Sequence, residues 1–322
     1  MDKKWISRVI AKEIYLRQTK EGGDFRIPGK EVLPLAEAQH IVLEELELKS
    51  HSLLNRDAEG RYKFSHKSIL EYFLAKEVGE DAHFRQSFSF EGMGVAQQFY
   101  ERMRLFPVMI RIESGTFEMG SNEHESEKPI HPVSLSTFEM SKYPVTQQQW
   151  QAIMGNNPSR FTQDENCPVE NVSWGDTQKF LQKLNELTQR TYRLPTEAEW
   201  EFAARGGLKP KGYEYAGSNN LAEVGWYNKN AGNKTHPIGQ KNPNELGLYD
   251  MSGNVWEWCQ DWYGEYPNEP QTNPNGAKSG GRRVLRGGSW LLGAAYCRVA
   301  VRDHNVPTYR LHDAGFRLAR TP

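Results

Sequence analysis

Apolar residues recur at helical spacing in the first hundred residues and lose that period afterwards. Trp5, Val9, Ile10 and Ile14 mark one face of a helix, and Leu35, Ala38, Val42 and Leu46 mark a second. Leu53-Leu54-Asn55 and Tyr62-Lys63-Phe64 flank the turn-forming run Arg56-Asp57-Ala58-Glu59-Gly60, which predicts a β-hairpin. Ser65 can cap a further helix whose buried face is Ile69, Leu70, Phe73 and Leu74, with Gly79 to end it. This order predicts a small helical, winged-helix-like domain over 1–95, and we place a connector at 96–107. From 108 to 322 Gly, Trp, Asn and Pro dominate. Two helices stand out there, Thr146 to Met154 and Trp174 to Thr188, the second with Phe180, Leu181, Leu184 and Leu187 on its face. Pro195 to Trp200 starts a third, capped by Thr196.

Composition narrows the function classes. The chain has 322 residues, 37% hydrophobic and 25% charged, which suits two domains with real cores. A net charge of −1 gives no global field toward nucleic acid or anionic lipid. Lys and Arg do not cluster on the second or third helix, so no nucleic-acid partner is expected of the winged-helix-like part. No apolar run is long enough for a membrane span. No apolar signal core follows Met1-Asp2-Lys3-Lys4-Trp5, so a cytoplasmic location is expected. The three cysteines, Cys167, Cys259 and Cys297, form no CxxC pair, which argues against a zinc site or a disulfide framework. Cys167 and Cys259 read as small buried hydrophobes.

From residue 108 onward one landmark follows another. Ile112-Glu113-Ser114-Gly115-Thr116-Phe117-Glu118-Met119-Gly120-Ser121 comes first, then Tyr143-Pro144-Val145-Thr146 and Asn171-Val172-Ser173-Trp174. Tyr192-Arg193-Leu194-Pro195-Thr196-Glu197-Ala198-Glu199-Trp200-Glu201 follows. Gly247 through Trp258, Arg286-Gly287-Gly288-Ser289-Trp290 and Gly315-Phe316-Arg317 complete the set. In this order they resemble the formylglycine-generating-enzyme (sulfatase-modifying factor) family. The resemblance implies an α+β fold of C-type-lectin type with little regular secondary structure. Three tryptophans, Trp256, Trp258 and Trp262, among Gly247, Gly253 and Gly264 suit such a fold, since glycines let loops approach large aromatics closely. A shorter stretch, Leu53 to Arg56 and Phe64 to Ala75, resembles the winged-helix region of NACHT-type signalling ATPases. The ATPase itself has no counterpart, because no GxxxxGK[ST] phosphate loop occurs.

The run Asp250 to Glu257 offers two carboxylates and glycine-loosened carbonyls, which suits a hard cation such as calcium. The family resemblance implies ligands at Asp250 and Glu257 with carbonyls from Gly253 and Val255. The alternative is that both acids cap backbone or pair with nearby arginine. Enzymes of the family hold copper between two cysteines five residues apart, just after Gly-Gly-Ser-aromatic, and oxidise a substrate cysteine. Soft thiolates are what Cu(I) prefers. Here the second position is Cys297 and the first falls at Leu292, so neither copper nor catalysis is expected.

What remains between the scaffold residues Trp290, Arg298, Arg302, Pro307 and Phe316 is aperiodic. Leu291, Leu292, Tyr296, Val301, Asp303, His304, Val306, Tyr309, Leu311 and His312 follow neither a period of two nor of 3.6. They mix aromatic, aliphatic and ionisable types, which predicts a recognition patch with tyrosine anchors. The layout resembles the variable proteins of diversity-generating retroelements, which place hypervariable ligand contacts in such a segment. That implies a non-catalytic binder of an unknown protein or other macromolecule. Two readings compete with it, an oxidase of formylglycine type and a sensor or scaffold piece of a NACHT-like signalling protein.

Overall fold

The computed structural model describes residues 106–322 continuously and a scattered set before them, including 27–28, 54–56, 61–64 and 93–97. Two compact units divide the chain, Met1–Phe106 and Pro107–Pro322. In the first unit β1 (Ile27–Pro28), β2 (Leu54–Arg56) and β3 (Arg61–Phe64) form an antiparallel sheet in the order β1-β3-β2. The hairpin expected from the turn run is therefore present, with Leu54 opposite Phe64. Leu70, Phe73 and Leu74 are helical and buried as the spacing requires, as is Ile14 in an earlier helical stretch. The helix expected around Leu35 to Leu46 lies outside the described residues, and so do Trp5, Ser65 and Gly79.

The second unit runs through β4 (Met109–Ile112), β5 (Gly115–Met119), β6 (His131–Leu135) and β7 (Phe138–Ser141). Helices α1 (Gln147–Met154) and α2 (Trp174–Thr188), strand β8 (Tyr192–Arg193), and helices α3 (Glu197–Ala204) and α4 (Leu221–Val224) follow. Then come β9 (Trp256–Trp262), β10 (Gln271–Thr272), β11 (Arg283–Arg286), β12 (Arg302–Asn305), β13 (Ala314–Gly315) and β14 (Ala319–Arg320). They form three sheets, β10-β6-β5, β12-β11-β9-β13 and β4-β7-β14-β8. β14, at the end of the chain, inserts antiparallel between β7 and β8. That closure brings the final residues back onto strands near the start of the unit.

Local chemistry sets the helix starts. Thr146, Ser173 and Thr196 each accept a bond from the third helical amide, and Gln149, Asp176 and Glu199 return it. These capping boxes satisfy amides that a helix start otherwise leaves bare. The α2 face is as expected at Phe180, Leu181 and Leu184, but Leu187 is 63% exposed because the last turn leaves the core. α3 is buried on every side, including Glu197, Glu199 and Glu201. Acids tolerate that only when paired, and arginines pair them. Arg286 and Arg205 hold Glu201, Arg302 holds Glu197, and Arg193 holds Glu199. Trp200 and Phe202 of the same helix sit in the main core with Leu248, Met251 and Val284.

Candidate recognition site

The segment after β11 is clamped by guanidinium groups that reach inward. Arg298 binds Glu127 (2.7 and 3.2 Å), and Arg302 grips both oxygens of Glu197 (2.6 and 2.8 Å). Arg317 grips both oxygens of Glu257 (2.6 and 2.7 Å). Bidentate pairs of this kind fix position as well as charge. Trp290 is fixed separately. Its backbone N–H donates to Asn254 (2.9 Å), and its ring meets Phe161 edge-on at 5.3 Å.

Between these clamps the chain turns its other side chains outward. Leu291, Tyr296, Asp303, Val306 and Tyr309 are exposed, and Leu292, His304, Leu311 and His312 are half-buried. Val301 departs from the expectation and is 8% exposed. With Val299 and Ala300 it forms a buried apolar triplet in the turn before β12, where Val301 N–H donates to the Arg298 carbonyl. It belongs to the core and not to the recognition patch.

The patch residues fall into neighbouring groups held from beneath. His312 lies against Trp290 (5.6 Å between rings), and Leu291 and Leu292 follow Trp290 directly, with the Leu292 carbonyl bound by Asn228 N–H (3.0 Å). The 306–311 loop rests on the start of α2. Gly175 N–H donates to Pro307, Asn171 N–H donates to Leu311, and Arg310 binds Asp176 at 2.8 Å. Asp303 and His304 lie on β12, at the edge of its sheet, with His304 against Tyr263 (4.0 Å). The chain's own side chains cap amides here, Asp303 that of His304 (2.7 Å) and Asn305 that of Val306 (2.8 Å). Such capping occupies these amides and so blunts the edge strand toward main-chain pairing. Sequence reasoning missed Phe161, Arg310 and Asn228, which come from or anchor to distant loops and carry no local signal.

Cys297 is fully buried, and burial pushes its thiol up to about 12. Its sulfur packs so closely that a Cβ on Gly288 would come within 2.6 Å of it, and Gly288 sits at φ +74°. Cys167 and Cys259 are buried as expected, and all three cysteines are free thiols. A thiolate is the nucleophilic and metal-binding form, and burial disfavours it at Cys297.

At the expected cation run, Asp250 accepts a bond from Gly239 N–H (2.8 Å) on one oxygen, and its other oxygen is buried without a partner. Glu257 already serves Arg317 on both oxygens and Trp200 N–H (2.7 Å) on one. Among the described residues no three His, Cys, Asp or Glu side chains gather as a metal cluster. The orphaned Asp250 oxygen fits a hard cation. Glu257 would have to share its charge with Arg317, and the Gly253 and Val255 carbonyls would have to complete the shell.

The sequence profile of the sulfatase-modifying factor enzyme 1-like domain matches residues 95–322. The chain belongs to this family. Proteins of several kinds resemble it. Treponema denticola variable protein 1, a solved structure, is 36% identical with a TM-score of 0.63, covering 66% of this chain and 95% of that one. The chaperone protein LppX of Paenibacillus barcinonensis is 36% identical over 66% of this chain and 89% of its own length. The formylglycine-generating enzyme of Streptomyces coelicolor is 39% identical over half of this chain and 55% of its own. The family fold of C-type-lectin type is thus the fold of the second unit. These likenesses give no support to the NACHT-type resemblance of residues 53–75. Among the described residues no helix is long and apolar enough to cross a membrane.

Proposed function

We propose that the second unit is a non-catalytic binding module that displays its C-terminal segment to a protein or other macromolecular ligand. The observation that carries this reading is the division of labour between residues 290 and 317. Trp290, Arg302 and Arg317 are buried and Arg298 is half-buried in its pair with Glu127, while Leu291, Tyr296, Asp303, Val306 and Tyr309 between them are free at the surface. Likeness to a variable protein supports it, and so do Leu292 and the buried Cys297, which leave no thiol pair for oxidase chemistry. An oxidase of formylglycine type is the competing reading, favoured by the likeness to the Streptomyces coelicolor enzyme.

The test is tolerance. Exposed substitutions usually cost within about 0.5 kcal/mol, whereas emptying a core aromatic costs about 3–5 kcal/mol. Changing Leu291, Leu292, Tyr296 and Tyr309 together to Asn should leave the melting temperature within a few degrees of wild type, and Trp258→Ala should lower it far more. A display library randomised at Leu291, Leu292, Tyr296, Asp303 and Tyr309 should stay mostly folded and yield binders to an arbitrary immobilised protein. Unfolding of the quadruple variant would sink the surface reading. Copper-dependent conversion of a cysteine peptide to aldehyde, abolished by Cys297→Ala, would establish the oxidase instead.

A further inference from the structure

One arginine of the second unit breaks the pattern set by the rest. Among the described residues of that unit, every other buried or half-buried arginine holds a carboxylate, from Arg193 with Glu199 to Arg320 with Glu139. Arg283, half-buried on β11, has no acid within ion-pair reach. Its guanidinium lies between the rings of Trp174 (3.9 Å) and Trp262 (3.5 Å). Nη1 donates to the Gln260 carbonyl at 2.5 Å. Nε is buried without a partner, while Nη2 is not buried and donates to nothing in the protein. A charge removed from water needs a partner to offset the loss, and stacking on two indoles supplies only part of that.

Position ties this cation to the recognition segment. Arg283 stands opposite Asn305 in the β11–β12 ladder. Trp174 opens α2, and its neighbour Gly175 donates to the Pro307 carbonyl at 3.2 Å. The guanidinium therefore borders residues 305–307. The acids around it are engaged elsewhere. Asp176 is shared by Arg310 (2.8 Å) and Lys179 (4.0 Å). Asp303 lies on the same side of β12 as Asn305, but its Oδ1 accepts His304 N–H at 2.7 Å. Asp261 attracts Arg283 from beyond ion-pair reach and accepts Glu197 N–H at 2.9 Å. Glu265 and Lys278, both exposed on the loops around Trp262, carry opposite charges. Arg282 is exposed, lies 3.3 Å from His304 Nδ1, and has no paired acid either. Two adjacent arginines at the rim of the recognition segment are thus left open to an anion.

We infer that this corner binds a carboxylate on an acidic segment of a protein partner, with Arg283 Nη2 donating to it and Arg282 beside it. The inference rests on the binding-module reading and names the chemistry of the partner. A guanidinium held flat between two rings is already oriented, so a carboxylate gains a charge-assisted hydrogen bond with little loss of side-chain freedom. A nucleic-acid base cannot stack between the two indoles, because the guanidinium fills that slot.

Hexaglutamate serves as the probe, hexaglutamine as the neutral control and hexathymidylate as the nucleic-acid control. Each is titrated into the full chain at neutral pH and low salt, and the indole N–H signals of Trp174 and Trp262 are followed by NMR. Hexaglutamate should bind with a dissociation constant of about 1 mM or tighter and shift both signals, and added salt should weaken it. Hexaglutamine should bind at least about tenfold more weakly. Arg283→Gln should weaken hexaglutamate about tenfold, and Arg283→Lys, which keeps the charge without the planar fork, should weaken it less. Arg190→Gln removes the same charge just beyond the far end of α2 and should leave binding unchanged. Melting curves check that each variant folds, and the indole shifts locate the site in wild type even if Arg283→Gln does not. Absence of hexaglutamate binding overturns the inference. So does hexaglutamine binding as tightly, hexathymidylate binding more tightly, binding that leaves both indole signals in place, or a loss in Arg190→Gln as large as in Arg283→Gln. The recognition reading is decided separately, because the tolerance of the quadruple patch variant is measured without any acidic probe.

Discussion

Glu170 shows how one residue can work against the fold it belongs to. Its side chain is fully buried. Phe161 N–H donates to Oε1 (2.9 Å), and Oε2 has no partner. Burial pushes the acid up to about 7, opposed by backbone hydrogen bonds from Phe161 and Arg160 and by the Arg160 charge, and aided by Asp313. An unfolded glutamate ionises near its ordinary value, about 4.3. The folded state thus holds its proton more tightly, and stability contributed by this group falls as pH rises from about 4.3 through 7. Glu170→Gln keeps the bond from Phe161 and removes the ionisation. Its melting temperature should match wild type near pH 4 and exceed it above pH 7, by the equivalent of about 3–4 kcal/mol at most. A difference that does not change with pH would show that Glu170 finds a partner when ionised. Phe161 packs on Trp290, so this acid lies beneath the candidate recognition site.

At the scale of elements, Asp176 joins two structures that the sequence lists far apart. It is the third residue of α2 and completes the capping box with Ser173. Its Oδ2 also receives Arg310 Nε at 2.8 Å, which pins the 306–311 loop. Asp176→Ala removes both roles and should cost about 1 kcal/mol from the lost cap. The more telling measurement is amide hydrogen exchange. Asn171 and Gly175 donate to Leu311 and Pro307, so their exchange should quicken in the variant, while Thr196-capped α3 stays protected. Equal quickening across the whole unit would mean that Asp176 matters only to global stability. The helix and its cap were legible in the sequence because a capping box is local. The loop anchored on it was not, because Arg310 lies 134 residues from Asp176 and no spacing rule spans that distance.

Taken whole, the second unit depends on buried charge more than its modest apolar content suggests. Arg286, Arg302 and Arg317 are almost wholly buried and each meets a buried glutamate. Such pairs are weak sources of net stability but strong penalties against misplacement, so they hold the frame of the unit in one arrangement. The proposed calcium belongs to this scale, since it would tie the 250–257 run to the rest of the unit. A cation bound only by the folded state raises the melting temperature with its free concentration. We expect EDTA to lower the melting temperature of wild type and calcium to restore it, while Asp250→Ala responds to neither. An identical wild-type melt in both conditions would leave Asp250 and Glu257 as capping and pairing groups alone.

The sequence by itself determined the family, three helices with the cap of the third, the hairpin before residue 65 and the lone status of Cys297, because each rests on local spacing or on an ordered set of motifs. It also told buried frame residues from the more exposed ones between Trp290 and Phe316, and erred at Val301. Period alone marks an aperiodic valine as loop, whereas a tight turn can bury it from beneath. Tertiary structure alone decided that Glu257 faces Arg317 and Trp200, that Arg283 stacks on Trp174, and that Asp176 supports Tyr309 and its neighbours through Arg310. Each of these pairs residues more than fifty positions apart, brought together by strand insertion and by desolvated ion pairs. Such contacts depend on which side chains lose water together, and that is settled only once the chain has closed.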